Sequence, residues 1–197
     1  MRLARVKRHA TMAEKMRGVT RYMVDTVDEQ AHTITGAQVP QPGPHFAAHF
    51  KVRQYEMDAF GHVNNAVYLH YLEQAATEHA AAAGWSGEHV RTLGGTWVAR
   101  RHEIEYLRPA LGNDLLQVVT WAVEFRGARA FRDYAIHRLA PASGDGRAPA
   151  DRFLAPDELP AGEPLVTART IWVWLDLVTG RPRRIPPEMH AAFFDIR

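Results

Sequence analysis

The residues best suited to chemistry lie in one short stretch, from Asp58 to Asn65. An acid, a glycine, a histidine and two adjacent asparagines fall within eight positions there. Gly61 permits a turn with positive φ, and Asn64 or Asn65 is a suitable helix N-cap. The Asp58 carboxylate could act as a nucleophile or a general base, while the backbone N–H groups that open the helix could donate to a developing oxyanion. The stretch therefore predicts metal-free carboxylate chemistry at the start of a helix.

Two elements must position this stretch. Before it, residues 46–52 alternate between apolar and other side chains, and this period of two predicts a half-buried strand. After it, apolar residues recur at helical spacing as far as Gly84, which predicts one long helix with a broad apolar face. The helix acid Glu73 lies near one edge of that face. The face comprises Tyr68, Leu69, Tyr71, Leu72, Ala75, Ala76, His79, Ala82 and Ala83.

The stretch and the predicted helix together resemble a known enzyme signature. The shared motif reads Asp58-x-x-Gly61-His62-Val63-Asn64-Asn65-x-x-Tyr68-Leu69-x-Tyr71-Leu72-Glu73. It is similar to the motif of hot-dog-fold thioesterases of the 4-hydroxybenzoyl-CoA thioesterase type, and its His-Val-Asn-Asn run also resembles plant acyl-ACP thioesterases. The resemblance covers roughly residues 46–190. It implies an α+β hot-dog fold, in which a five- to six-stranded antiparallel sheet wraps around one long helix.

The resemblance also implies an activity. We expect an acyl-CoA thioesterase of fatty acid metabolism, which hydrolyses a thioester to a free carboxylic acid and coenzyme A without metal or cofactor. Two alternatives stay open: an acyl-ACP thioesterase, and a non-catalytic hot-dog protein that binds acyl-CoA as a sensor or scaffold. At Phe60 the chain departs from the plant pattern, in which an asparagine helps to align the nucleophile. This departure favours an acyl-CoA substrate over an acyl-ACP substrate.

Roles for individual residues follow from the same resemblance. Asp58 matches the catalytic acid, and the backbone N–H of Asn65 is the best match to the oxyanion donor. Glu73 is the helix acid, which does the work in a second lineage of the family. His62 either orients Asp58 and binds water or is a structural histidine. Asn64 either caps the helix or contacts the substrate or a neighbouring subunit.

Further residues are candidates for holding the substrate. Tyr68 is a candidate substrate contact, although its place on the apolar face also suits the core. Arg126 and Arg129 occupy the turn between the two middle strands, where related bacterial enzymes hold the nucleotide end of coenzyme A. Arg100, Arg101 and Arg108 are further candidates for this binding.

The composition describes a globular protein of one ordinary domain plus an extension. Apolar residues make up 46% of its 197 residues, and 24 basic side chains nearly balance 22 acidic ones. That balance argues against nucleic acid or a membrane as the main partner. The absence of cysteine excludes disulfides, thiolate metal sites and a cysteine nucleophile. Because a chain without cysteine suits a reducing compartment, we expect a cytoplasmic protein.

The chain is predicted to divide into a basic N-terminal extension and linker, residues 1–45, and a hot-dog domain, residues 46–197. Within the domain we expect strands over residues 97–107, 114–125, 130–139 and 165–178, a long loop over 140–164 and a short helix over 187–194. On the strand over 114–125, one face is predicted to comprise Leu115, Val119, Trp121, Val123 and Phe125. One helix cannot cover both faces of such a sheet, so we expect a homodimer or homotetramer.

Overall fold

A computed structural model describes residues 43–140 and 148–195. Residues 1–42, which hold nearly all of the predicted basic extension, lie outside the described residues. The helices are a 3-10 helix (Gln54–Glu56), α1 (Asn65–Ala82), α2 (Gly87–Thr92) and α3 (Pro187–Phe194). The strands are β1 (Phe46–Lys51), β2 (Gly95–Tyr106), β3 (Leu115–Arg126), β4 (Arg129–Arg138), β5 (Arg152–Phe153) and β6 (Glu163–Asp176).

The six strands form one antiparallel sheet in the order β2-β6-β4-β3-β1-β5. β1 pairs with β3 and lies next to last in the sheet, while β2 forms the opposite outer edge through its pairing with β6. The predicted antiparallel sheet with one long helix is therefore confirmed. β5 lies within the predicted long loop and extends the sheet by only two residues at the β1 edge.

The main core lies between α1 and the inner face of the sheet. Tyr68, Leu72 and Ala75 of α1 are almost fully buried there, against inner-facing strand residues such as Val118 and Ile136. Burial of apolar surface is the dominant favourable contribution to folding, so the spacing of these residues determines which helix face turns inward. The N-terminal half of α1 is thus held tightly, together with the turn that precedes it.

A second apolar cluster surrounds the C-terminal half of α1. It combines Trp85 after the helix, Ala122 of β3, Trp174 of β6 and Phe193 of α3. Gly95 begins β2 beside this cluster, and a Cβ atom at this position would come within 2.0 Å of the Trp174 ring. The C-terminal end of α1 is therefore enclosed by elements that are far apart in sequence.

The structure corrects the predicted face of β3. A bulge between Ala122 and Glu124 shifts the register with β4, so that Phe125 pairs with the buried Ala130. Phe125 consequently packs in the same cluster as Ala122 and Phe193, whereas Trp121 packs on the opposite face near Val119. An extra residue in one strand reverses the alternation beyond it, and the simple period of two cannot reveal this. The short helix α2 was also not predicted.

Candidate active site

The candidate catalytic stretch forms a tight turn immediately before α1. Met57 and Val63 pair as an antiparallel bridge, and the backbone N–H of Asp58 donates to the carbonyl of His62 at 2.7 Å. Gly61 has a φ of 79°, a conformation that side chains disfavour, and its N–H donates to the Asp58 carbonyl. The Val63 N–H donates to Ala110, which ties the turn to the chain that follows β2. The turn is therefore held by main-chain hydrogen bonds on both sides.

The two oxygens of the Asp58 carboxylate have different surroundings. Oδ1 accepts the backbone N–H groups of Phe60 at 2.8 Å and of His62 at 3.1 Å. Oδ2 has no hydrogen-bond donor among the described residues, so it remains available to a substrate or a water molecule. The N–H of His62, followed by that of Phe60, stabilises the ionised form and lowers the pKa of Asp58. The acid is thus a carboxylate with one oriented oxygen and one open oxygen.

The start of α1 offers a donor that complements this acid. Asn64 is the N-cap: its side-chain oxygen accepts the N–H of Ala66 at 2.9 Å, and its carbonyl accepts the N–H of Val67. The backbone N–H of Asn65 finds no acceptor within residues 43–140 and 148–195. Helix N-termini carry unsatisfied N–H groups and a partial positive charge. The Asn65 N–H is therefore suited to stabilise an oxyanion, as its motif position suggests.

The other residues predicted for the site are placed in different surroundings. His62 contacts Asp58 through its backbone N–H, and its imidazole ring makes no hydrogen bond to any described residue. Tyr68 is only 2% exposed and its hydroxyl accepts the N–H of Ala110 at 2.9 Å. The Tyr68 side chain is thus part of the core behind the turn, and its contact with the substrate stays a prediction.

Glu73 lies on the exposed side of α1 and lines a cleft of about 290 Å³. It is eight residues beyond Asn65, which corresponds to about 12 Å along the helix axis. Within one protomer Glu73 is therefore not part of the Asp58 turn. The cleft has aromatic walls formed by Trp85, Trp97, Phe125, Phe131, Trp172 and Phe193.

The candidate arginines do not gather at the Asp58 turn. Arg126 and Arg129 face each other across the β3–β4 turn, and both are exposed. β3 carries that turn to the end of the sheet where the C-terminus of α1 lies, since Phe125 and Ala130 belong to the second apolar cluster. They are therefore at the opposite end of the sheet from Asp58 of the same protomer.

Of the remaining candidates, two arginines already have acidic partners. Arg101 pairs with Glu103 at 2.6 Å, and Arg108 pairs with Glu163 at 3.2 Å. Arg100 lies exposed in the middle of β2. These pairings make Arg101 and Arg108 weaker candidates for binding phosphate.

Sequence reasoning did not single out the buried polar pair at the C-terminal half of α1. Arg132 of β4 donates from Nη1 to Nδ1 of His79 at 2.7 Å and to Oγ1 of Thr120 at 3.1 Å. His79 is fully buried and Arg132 is 7% exposed. The alternation of β4 could have indicated this pair, because Arg132 occupies an inward-facing position between the inward-facing Ala130 and Tyr134. A charged residue at such a position is rarely buried without a reason.

Comparison with known proteins agrees with this fold. A sequence model of the thioesterase-like superfamily matches residues 52–193. The chain belongs to that superfamily. The matched range begins at the end of β1 and includes the Asp58 turn, α1 and the aromatic cleft. The hot-dog fold expected from the motif is confirmed.

Individual relatives within the superfamily are similar to this chain. The acyl-acyl carrier protein thioesterase ATL3 of Arabidopsis thaliana chloroplasts is 30% identical over 143 residues, covering 73% of this chain and 64% of the plant protein. Long-chain acyl-CoA thioesterase FadM of Escherichia coli K12 is 35% identical over 80 residues, covering 39% of this chain and 58% of FadM. The chain thus spans slightly less than two thirds of the plant protein that it matches.

A solved structure shows the same fold at low sequence identity. The 1,4-dihydroxy-2-naphthoyl-CoA thioesterase of Synechocystis superposes with a TM-score of 0.59 at 17% identity, covering 76% of this chain and 95% of that enzyme. This likeness concerns the path of the backbone and the order of the elements. No helix among the described residues is both long enough and apolar enough to cross a membrane.

Proposed function

We propose that this protein hydrolyses acyl thioesters, with Asp58 as the catalytic carboxylate. The observation that carries the proposal is the pairing of two open groups at one junction: Oδ2 of Asp58 and the N–H of Asn65. The superfamily match supports the same reaction class. Both open groups belong to the turn and the first residue of α1, whose geometry is held by the backbone hydrogen bonds around Gly61 and Asn64.

The chemistry follows from these two groups. Asp58 attacks the thioester carbonyl carbon itself or removes a proton from an attacking water, and the carbonyl oxygen becomes an oxyanion. The Asn65 N–H donates to that oxyanion from a position already oriented by the helix start. The bond from carbon to sulfur then breaks, and the thiolate leaves without a strong general acid because thiols are acidic. Where water attacked, the free acid forms directly; where Asp58 attacked, a water then hydrolyses the Asp58 anhydride, which releases the acid and restores the carboxylate. His62 contributes through its backbone N–H, which orients the carboxylate.

We further propose that the protein is a homodimer formed through β2. This strand has twelve residues and lies at the outer edge of the sheet, and its central residues are exposed. An exposed edge strand of this length is a template for pairing with another chain. Antiparallel pairing of two β2 strands about a two-fold axis would place the Gly95 end of one protomer beside the Tyr106 end of the other.

This pairing would also complete the active site. Thr96 and Trp97, near the Gly95 end of β2, line the aromatic cleft. At the other end, the hydroxyl of Tyr106 donates to the carbonyl of Asn65 at 3.0 Å. The Asp58 turn of one protomer would therefore approach the cleft and Glu73 of the other. Sedimentation equilibrium at micromolar concentration would contradict this assembly if it showed a compact monomer.

The carrier is proposed to be coenzyme A, with acyl carrier protein as the alternative suggested by the plant relatives. The experiment offers matched acyl groups on both carriers and measures thiol release with a thiol-reactive dye. We expect hydrolysis of several acyl-CoA esters at a higher kcat/KM than the same acyl groups on acyl carrier protein. If no thioester of a broad panel is hydrolysed while acyl-CoA still binds, the non-catalytic sensor or scaffold function takes the place of this proposal.

A further inference from the structure

Arg132 is a buried cation that no described carboxylate neutralises. It lies on the inner face of β4, opposite Ala122 of β3 and Thr170 of β6, and it is 7% exposed. Its hydrogen-bond partners are neutral, namely the Thr120 hydroxyl and the His79 ring. No ion pair within 4.0 Å joins it to an acid in residues 43–140 and 148–195. Buried charges normally require a partner because desolvation of an ion is costly.

His79 cannot share this charge and is held as a neutral acceptor. Burial, followed by the adjacent Arg132 charge, lowers the pKa of His79 to about 2. The ring therefore accepts from Arg132 at Nδ1 and carries its own proton at Nε2, packed among the rings of Phe46, Phe153 and Phe193. Arginine stays protonated in proteins even where burial lowers its pKa, as it does for Arg132. A full positive charge thus remains at this position.

The unused hydrogen-bond donors of Arg132 belong to a residue that lines the aromatic cleft. Arg132 lines that cleft, and its Nη1 makes both of the hydrogen bonds to neutral partners. Its Nε and Nη2 have no acceptor in the described part of the chain. Neither nitrogen is among the fully enclosed side-chain nitrogens without a partner in the described residues, which belong to His79, His137 and Trp174. The planar edge formed by Nε and Nη2 suits a carboxylate, which it can bind through two parallel hydrogen bonds.

The depth of Arg132 indicates which part of a substrate would reach it. Glu73, Thr77 and Arg91 are exposed residues of the cleft lining, whereas Arg132 is buried. The guanidinium therefore belongs to the buried part of the cleft lining, together with aromatic residues such as Phe193. An acyl chain that ends in a carboxylate would match this arrangement, with its methylene groups against the aromatic walls and its carboxylate at Arg132. Polyphosphate groups of a carrier would instead suit an exposed, strongly polar surface.

We propose that Arg132 binds a carboxylate at the far end of the acyl group, so that the preferred substrates are thioesters of dicarboxylic acids. This inference rests on the proposed thioester hydrolysis and deepens it, because it assigns the substrate class. Arg132 is a specificity residue in this assignment and takes no part in the bond-breaking step. The aromatic walls bind the methylene chain, and the neutral His79 and Thr120 hold the guanidinium in place.

The test compares matched pairs of acyl-CoA esters with and without the terminal carboxylate. The pairs are glutaryl- and pentanoyl-CoA, adipoyl- and hexanoyl-CoA, and suberoyl- and octanoyl-CoA. For at least one pair we expect kcat/KM to favour the carboxylated ester by roughly tenfold or more, since hydrogen bonds to charged groups are strong when desolvated. In Arg132→Gln this preference should disappear, while hydrolysis of the uncharged ester changes much less.

Two controls separate specificity from folding. Arg132→Lys keeps the charge but loses the planar two-donor edge, so it should retain only part of the preference. Arg181→Gln removes an exposed arginine outside the cleft and should leave the preference unchanged. Thermal unfolding of each variant shows whether it folds. If the parent protein hydrolyses the uncharged ester as well as its carboxylated partner in every pair, the inference is overturned. The proposed hydrolysis would remain intact.

Binding measurements keep the inference testable if no thioester is hydrolysed. The cleft contains Trp85, Trp97 and Trp172, so tryptophan fluorescence can report occupancy. Free adipate should quench this fluorescence in the parent protein and not in Arg132→Gln, and that result supports the carboxylate site even if the proposed function fails. Free coenzyme A and 3′,5′-ADP test the alternative anion source. If these phosphates quench the fluorescence of the parent protein but not of Arg132→Gln, and adipate quenches neither, then Arg132 binds the carrier and the inference is overturned.

Discussion

The two ends of α1 hold their charged groups in opposite ways. At the N-terminal end, the Asp58 carboxylate is accessible and is fixed by backbone N–H groups only two and four residues away. At the C-terminal end, the Arg132 guanidinium is buried and is fixed by side chains from α1 and β3. The first arrangement is local in the chain, and the second depends on tertiary packing.

This difference in surroundings suits the two groups to different proposed roles, Asp58 to reactivity and Arg132 to selectivity. A carboxylate in a short turn keeps its orientation whatever acyl group is bound, because its hydrogen bonds belong to the backbone. A cation enclosed by aromatic side chains gains most from a ligand that replaces the water it has lost. α1 has 18 residues and spans about 27 Å. One protomer therefore carries the proposed catalytic carboxylate and the proposed specificity residue at separate places, and the proposed β2 dimer would bring them together.

The largest expected effect is on the N-terminal end. Asp58→Asn preserves the size of the side chain and its Oδ1 hydrogen bonds, so the fold and acyl-CoA binding should be retained. The amide can neither attack the thioester nor take a proton from water. We expect kcat to fall about a hundredfold or more for loss of a general base, and further if Asp58 is the nucleophile.

Glu73→Gln is the matched comparison, because it neutralises the helix acid at the cleft. Of Asp58→Asn and Glu73→Gln, the variant with the larger fall in kcat and little change in ligand affinity identifies the carboxylate that is central to catalysis. If both variants hydrolyse a good substrate within a few-fold of the parent rate, neither acid is catalytic. The hydrogen bonds of Asp58 would then serve only to stabilise the turn.

The sequence was most informative where the structure is local. The Asp58 turn, an asparagine cap at Asn64 or Asn65 and the approximate strand boundaries could be predicted, because spacing within a few residues determines turns, caps and alternation. α1 begins and ends within one or two residues of the predicted positions, and α3 spans the predicted range. These features need no knowledge of which element packs on which.

Features that depend on packing between distant residues were missed or wrong. His79 and Arg132 are 53 positions apart, so no short motif joins them. The bulge in β3 reverses the orientation of Phe125, and no residue there identifies it in advance. Tyr68 could be a core residue or a substrate contact by spacing alone, and its burial and the hydrogen bond from Ala110 become visible only in the fold. The roles of Asp58, His62, Asn65 and Glu73 stay predictions.

A second prediction isolates the oxyanion donor at the N-terminal end. Asn65→Pro removes the backbone N–H of the first helical residue, a position where helices tolerate proline. Asn64, which precedes it, has φ −58° and ψ 134°, an extended conformation compatible with a following proline. We expect kcat to fall about a hundredfold, which is typical for loss of one oxyanion donor, with little change in the free energy of unfolding.

Asn65→Ala is the control for this effect, because it removes the side chain but keeps the N–H. Its kcat should stay close to that of the parent protein. If Asn65→Ala loses as much activity as Asn65→Pro at equal stability, the side chain rather than the backbone is the functional group, and the oxyanion donor must be sought elsewhere.

The smallest expected effect concerns stability at the C-terminal end, where His79 is buried and neutral. Its pKa is lowered from 6.5 to about 2 in the folded protein, first by burial and then by the charge of Arg132. Below pH 6.5 the unfolded chain binds a proton at this histidine that the folded protein does not. The free energy of unfolding should therefore decrease as the pH falls from 6.5 towards 2, by about 1.4 kcal/mol per pH unit from this group.

His79→Gln tests this directly, because its amide oxygen can still accept from Arg132 but cannot titrate. Urea unfolding between about pH 7 and pH 5 should give a stability that falls more steeply in the parent than in the variant, by about 1.4 kcal/mol per pH unit below 6.5. The pKa values of His45, His49 and His137 are also lowered by burial, but these groups titrate in both proteins. The difference in slope thus belongs to His79. If the stability of the two proteins depends on pH in the same way, His79 gains a proton in the folded state. Arg132 would then lack the neutral acceptor on which its role as a carboxylate site depends.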